Sequence, residues 1–400
     1  MWHVRVAIGS ALAGIFAVAA VAAPFSSLVI FGDSLSDIGN ISQASFGAYP
    51  GPYYYQARFS NGPVYAEALS VGLGLGPMVR SIAGGNDFAY GGAQTSGTGG
   101  LDGLFIKDVD EQVDKFLSSR TVDPHSLFEV FSGANDLING QTNVNVPVDT
   151  IAAQIGRLVA VGATQFFVPN LPLLGDTPRY DGNPTTHMQY NTLTTQFNTA
   201  LTAALDNLRA SNAALTFFRL DLAALFEDVR TNPAAFGLVN VTDAAAPGLE
   251  PGTSSYDTSR IAADANEYLF WDDLHPTTTV HAIFAQRALA LLSLPGDYNH
   301  DGIVNAADYT IWRDAFGETG LGLIADGDGN GKVDRADFNV WQSHFGQTAG
   351  GGSGTSANAI VPEPKSFVML LVGMLAIFFR RRTAVSQSHA PVRRAEIGPI

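Results

Sequence analysis

Cysteine is absent from all 400 residues, which removes disulfides and thiolate metal ligands from any account of how this chain holds together or acts. Charge is scarce as well. Asp, Glu, Lys and Arg make up 15% of the chain, and 22 basic against 37 acidic residues leave a net charge of −15. That balance repels nucleic acid and anionic membrane surfaces, and it speaks against both as partners. The apolar runs at 6–21 and 367–379 are short for a membrane-spanning helix. What is abundant is apolar: 46% of the residues are hydrophobic, the composition of an ordered globular chain. Its length predicts one large domain with appendages, or two domains.

One constellation of residues carries chemistry. The apolar run Leu28-Val29-Ile30-Phe31 leads into Gly32-Asp33-Ser34-Leu35. A serine hydroxyl attacks only if a base takes its proton, which calls for a histidine oriented by a carboxylate. Trp271-Asp272-Asp273-Leu274-His275-Pro276 supplies both, with Asp272 as the orienting acid and Asp273 in reserve. Gly91-Gly92-Ala93 and Gly133-Ala134-Asn135-Asp136 lie between and offer main-chain N–H groups and a side-chain amide for a developing oxyanion. Read alone, Ser34 is an N-cap before it is a nucleophile, and Asn135 is open to reading as a turn residue. His125, His187 and His281 lack any flanking pattern that calls for catalysis and read as surface or satisfied structural histidines. Tyr49, Tyr53, Tyr54, Tyr55, Phe59 and Tyr65 cluster after the serine, suited to line an acyl pocket, to stack on sugar rings or to pack a long loop.

In this order the four segments resemble the GDSL or SGNH hydrolases, named for a serine, glycine, asparagine and histidine in separate blocks. Ser34, Gly92, Asn135 and His275 stand at those places. The resemblance covers residues 26–294. It takes in Arg58-Phe59-Ser60-Asn61-Gly62-Pro63 and Pro169-Asn170-Leu171-Pro172-Leu173, which are similar to the lipase-like branch. It implies a serine carboxylester hydrolase acting through an acyl-enzyme, with no cofactor for catalysis and a small-molecule or lipid ester as substrate. Ser34 would be the nucleophile, at a strand-to-helix turn, His275 the general base and Asp272 its partner. The N–H groups of Ser34 and Gly92 with the Asn135 amide would hold the oxyanion, and Asp37 and Asn40 would support the nucleophile loop.

The pattern of the chain agrees with that reading. Short runs at 27–31, 127–132, 165–169 and 215–220 are rich in Phe, Val, Ile and Leu and predict buried strands. Helical patterns at 148–161, 194–209 and 277–292 alternate with them, which predicts a parallel sheet covered on both faces. The fold implied by the resemblance is a three-layer α/β/α, flavodoxin-like sheet over residues 23–294.

A different composition begins at 295. Asp297, Asn299, Asp301, Asn305 and Asp308 occupy positions 1, 3, 5, 9 and 12 of a loop with Gly302 at position 6. Asp326, Asp328, Asn330, Asp334 and Asp337 repeat the pattern 29 residues later with Gly331, and Ile303 and Lys332 stand at position 7. A hard cation such as calcium needs oxygens turned inward by so tight a loop. Trp312 and Phe316 recur as Trp341 and Phe345 in the helical segments that follow. Residues 295–348 resemble the small, all-α, duplicated calcium-loop module called dockerin, which implies two structural calcium ions and a cohesin-like partner. Loop positions 10 and 11 are Ala306-Ala307 and Arg335-Ala336 rather than the frequent Ser-Thr pair, so no particular partner is implied.

The ends suggest processing. His3 and Arg5 precede an apolar run that reaches Ala20-Val21-Ala22, the pattern of a secretory signal peptide over residues 1–22. After a Gly/Ser-rich linker at 349–360, Val361-Pro362-Glu363-Pro364, an apolar stretch and Arg380-Arg381-Arg382 resemble a PEP-type sorting signal (361–382), read by a sorting transpeptidase, with a tail at 383–400. The expected location is secreted, at the envelope or surface of a bacterium. Two other functions remain open: a carbohydrate (acetyl) esterase acting on polysaccharide, and a non-catalytic, calcium-dependent surface-binding protein.

Overall fold

A computed structural model describes residues 25–99, 102–299, 303–319, 323–327 and 332–347. The signal peptide, linker, sorting signal and tail lie outside the described residues, as do Asp301, Asp328 and Asn330.

Strands β1 (Leu28–Gly32), β2 (Leu127–Phe131), β3 (Gln165–Phe167) and β4 (Thr216–Phe218) pair in parallel in that order. Register is set by Ile30 opposite Glu129 and Glu129 opposite Phe167. On the far side of β1 the segment around Asp87 adds a further pairing: Ile30 N–H donates to Asn86 O at 3.0 Å and Phe88 N–H to Ile30 O at 2.8 Å. With this segment counted, the order is 2-1-3-4-5, that of flavodoxin-like sheets. A separate pair, β5 (Asn240–Ala244) and β6 (Tyr268–Phe270), is also parallel and has no counterpart among the expected strands.

The helices are α1 (Asn40–Ala44), α2 (Tyr65–Gly72), α3 (Val109–Ser119), α4 (Ala134–Ile138), α5 (Asn145–Ala160) and α6 (Pro178–Asp181). There follow α7 (Pro184–Ser211), α8 (Leu222–Thr231), α9 (Thr278–Leu292), α10 (Ala306–Ala315) and α11 (Arg335–His344). Helix α7 starts ten residues before the apolar pattern does. Asn183 accepts N–H bonds from Thr185 and Thr186, and Pro184 takes the first helical position, a start signal that needs no apolar face.

Side-chain parity on β2 sorts the layers, because neighbours on a strand face opposite sides. Phe131 packs edge-on against Tyr65 of α2 and Phe284 of α9, and Glu129 on the same face meets Tyr65. Phe128, on the other face, meets Phe116 of α3. Helices α2 and α9 therefore cover one face, and α3, which packs with α5, covers the other.

Beyond residue 295 a small cluster of buried residues forms separately around Tyr298, Ala315, Ala325 and Val333. The two helices there are built alike. Asn305 caps α10 and Asp334 caps α11, each in a reciprocal capping box, with Asp308 and Asp337 at the third helical position. Each helix also sends a tryptophan across to the other: Trp312 Nε1–H donates to Asp334 O at 2.8 Å and Trp341 Nε1–H to Asn305 O at 2.7 Å.

Candidate active site

Ser34 follows β1 at the carboxyl edge of the sheet, where ligands of such sheets bind. It sits on one tight turn, in which Asp33 O accepts from Ser36 N–H at 3.2 Å and Asp37 N–H at 3.0 Å. This corrects the expected strand-to-helix junction, for α1 begins only at Asn40. Gln112 of α3 holds the turn from below: its Oε1 accepts Gly32 N–H at 2.9 Å and its Nε2 donates to Gly32 O at 2.8 Å. On the other side Ser36 Oγ lies 2.7 Å from Tyr65 Oη, which donates onward to buried Glu129. Burial pushes the Glu129 carboxyl up to about 8 and Asp33 up to about 6.

His275 comes from the loop between β6 and α9. Its Nε2 is 2.9 Å from Ser34 Oγ and its Nδ1 is 2.8 Å from Asp272 Oδ2, and all three side chains are buried. Asp272 is folded back on its own loop, where Oδ1 accepts the N–H groups of Leu274 (2.8 Å) and His275 (2.6 Å). Burial raises the Asp272 carboxyl, but the charge of His275 and the hydrogen bonds from His275 and Tyr54 outweigh it, and the group lies below its ordinary value. A carboxylate so held keeps the imidazole in one orientation, and the imidazole can receive the serine proton. Asp273 turns away and accepts Gly248 N–H at 3.1 Å.

The remaining expected residues converge on the same place. Gly91 N–H is engaged by Asp37 Oδ2 at 2.8 Å, whereas among the described residues no partner stands against the N–H groups of Gly92 and Ser34. Asp37 accepts three further N–H groups, from Gly39, Asn40 and Ile41, and thereby ties the serine loop to the glycine loop. Asn135 is the second residue of α4, which starts after Gly133, whose φ of 115° and contact with the Phe197 ring exclude a Cβ. One Asn135 Nδ2 proton goes to Ala93 O at 2.8 Å, which aims the amide at the glycine loop.

Tyr54 is a residue whose place the sequence did not single out. Six aromatic residues here are expected to line a pocket, stack on sugar rings or pack a loop, and the structure separates them. Tyr54 Oη donates to Asp272 Oδ2 at 2.6 Å. The Phe59 ring lies 5.2 Å from the imidazole of His275, Tyr65 is in the core, and Tyr53 Oη accepts Tyr256 N–H at 3.0 Å. No local signal distinguishes Tyr54 from its neighbours, because its partner is 218 positions away. His281, expected to be satisfied, is only half so: Nδ1 accepts Tyr65 N–H at 3.3 Å, Nε2 is buried without a partner, and burial lowers its value to about 3.

Two cavities flank Ser34 and His275. One, about 50 Å³ in volume, is narrow and mostly apolar, walled by Leu171, Leu173, Ile138 and the Ala223–Phe226 face of α8, with the Arg230–Asp176 ion pair also in its lining. The second, about 260 Å³, is more polar. It includes Gly92, Asn139, Tyr49, Phe59 and the ion pair Arg179–Glu250.

Known proteins bear out the family. The sequence model of the GDSL-like Lipase/Acylhydrolase family matches residues 28–288, so the chain belongs to that family of carboxylic ester hydrolases. It is 29% identical over 278 residues to the thermolabile hemolysin of Vibrio parahaemolyticus, covering 66% of this chain and 62% of that protein. It is 27% identical over 309 residues to the phosphatidylcholine-sterol acyltransferase of Aeromonas hydrophila, covering 67% of this chain and 90% of that one. To Esterase EstA of Pseudomonas aeruginosa it is 29% identical over 320 residues, covering 68% of this chain and 47% of EstA. The matched part thus spans less than two thirds of the hemolysin and of EstA.

Among the described residues, no group of three His, Asp or Glu side chains is placed to hold a metal ion. Asp308 and Asp337 are fully buried: Asp308 accepts the N–H groups of Asn299 (3.1 Å) and Asn305 (2.7 Å), and Asp337 that of Asp334 (2.7 Å).

Proposed function

We propose that this chain is a secreted serine carboxylester hydrolase. The observation that carries the proposal is the unbroken hydrogen-bonded line from Asp272 through His275 to Ser34. His275 Nε2 takes the Ser34 proton as Oγ bonds to the ester carbonyl carbon. The carbonyl oxygen becomes an oxyanion, held by the Ser34 and Gly92 N–H groups and by the Asn135 amide. The protonated His275 then gives its proton to the alcohol oxygen, the C–O bond breaks, and the acyl group stays on Ser34. Water repeats the steps: His275 takes its proton, the acid departs, and Ser34 regains its hydrogen.

An organophosphate should label one peptide, that containing Ser34, and Ser34→Ala should lose both the label and turnover of p-nitrophenyl esters. Label elsewhere, or turnover by Ser34→Ala, overturns the assignment.

The duplicated loops support a second element of the reading, a dockerin-like module that holds calcium. Carboxylates as buried as Asp308 and Asp337 suit a divalent cation, and Asp297, Asn299, Ile303, Asn305, Asp326, Lys332 and Asp334 would join them as ligands, with Asp301, Asp328 and Asn330 from outside the described residues. The N-terminal and C-terminal segments support export to a bacterial envelope or surface.

A further inference from the structure

The two cavities meet at Ser34 and His275. In ester hydrolysis the acyl chain and the alcohol leave the carbonyl carbon in different directions, so each needs its own space. The narrow cavity, about 50 Å³, offers mainly Leu171, Leu173 and Phe226 beside Ser34, which suits a short hydrocarbon chain of a few carbons. The wider one is of another character. Arg179 Nη2 lies 2.6 Å from Glu250 Oε2, and Asp102 and Asn139 line the same space beside the rings of Tyr49 and Phe59. Acceptors and donors stand next to aromatic faces, the combination that recognises hydroxyl groups on a compact carbon skeleton.

Charge narrows the class. Arg179 is neutralised by Glu250, and Asp102 leaves the cavity with net negative charge, in a chain that is itself at −15. A phosphate-bearing alcohol would meet repulsion with its one counter-charge already occupied. Resting on the hydrolase reading above, we propose that the Arg179–Glu250 cavity is the alcohol subsite and that the substrates are esters of a short apolar acyl chain with a neutral polyhydroxylated alcohol, of the glycerol or sugar type. Glu250 sets this selectivity by occupying Arg179.

The test uses the full chain and four butyrate esters: those of methanol, glycerol, glucose and glycerol 3-phosphate. The glycerol and glucose esters should exceed the methyl ester in kcat/KM by about tenfold, the scale of one or two hydrogen bonds. The phosphate ester should fall below the glycerol ester, with a deficit that shrinks as salt is added. Glu250→Gln frees the Arg179 guanidinium and should reverse that pair, placing the phosphate ester above the glycerol ester. Adding Arg179→Gln should cancel the reversal. Glu250 is exposed, and exposed ion pairs contribute little to stability, so both variants should fold. Equal rates for methyl and polyol esters, a wild-type preference for the phosphate ester, or unchanged selectivity in Glu250→Gln overturns the subsite. Ser34-dependent turnover of any of the four esters supports the underlying reading independently of these ratios, and loss of all turnover in the wild type overturns both.

Discussion

Tyr54 and Asp272, 218 positions apart, share a buried 2.6 Å hydrogen bond to the oxygen that also faces His275 Nδ1. One carboxylate oxygen thus serves two donors. In Tyr54→Phe the carboxylate should act on the imidazole alone and hold its proton more strongly. The acid limb of kcat/KM should move to higher pH, with kcat lower and KM little changed. A residue that only packed the loop would lower thermal stability and leave the limb in place, so the pH profile decides between the two.

Asn135 should act on kcat. If its amide meets the oxyanion, Asn135→Ala loses about 10²- to 10³-fold in kcat, as for other donors of this kind, with its circular dichroism spectrum preserved. His275→Ala should lose more than Asp272→Ala, because the base is required for proton transfer and the acid mainly orients it. Near-normal kcat in Asn135→Ala would make the residue a turn former.

Glu129 gives a stability prediction with a definite sign. Its folded value of about 8 lies above the ordinary 4.5 because of burial. Below about pH 4.5 the carboxyl is protonated in both states and its stability contribution is fully present. As pH rises towards about 8 the unfolded chain ionises first, and that contribution is lost. Glu129→Gln removes this ionisation, so its melting temperature should gain on the wild type steadily across that window and level off above it. A difference that is flat with pH would contradict the assignment.

Calcium should matter to folding and not to the reaction. A chelator should remove a calorimetric transition belonging to residues 295–348, while ester hydrolysis stays nearly constant, and titration should give about two sites. Collapse of hydrolysis together with the calcium would mean that the loops and Ser34 are coupled.

The sheet and the four site blocks were legible because both are local. Runs such as Leu127 to Phe131 are apolar enough to announce a strand, and Ser34, Gly92, Asn135 and His275 each sit in a short recognisable setting. Illegible parts depend on distant partners. Tyr54 gains its meaning from Asp272, and Gln112 from Gly32, 80 positions away. Glu129 stands in an otherwise apolar strand and anchors the nucleophile turn through Tyr65 and Ser36, partners 64 and more positions away in the chain that no local pattern indicates. Helix α7 began early because its cap, rather than its apolar face, sets where it starts.

The crossed tryptophans have a consequence for how the duplicated segment could have arisen. Each copy's indole adds a second donor to the N-cap carbonyl at the head of the other copy's helix, beside the first hydrogen bond of that helix itself. A single copy would lose the outside donor at its helix head and leave its own indole N–H without this partner, so one half is not a smaller version of the whole. Whatever tightens one loop also steadies the carbonyl that its neighbour's helix begins from, which turns two similar sequences into a mutually dependent pair.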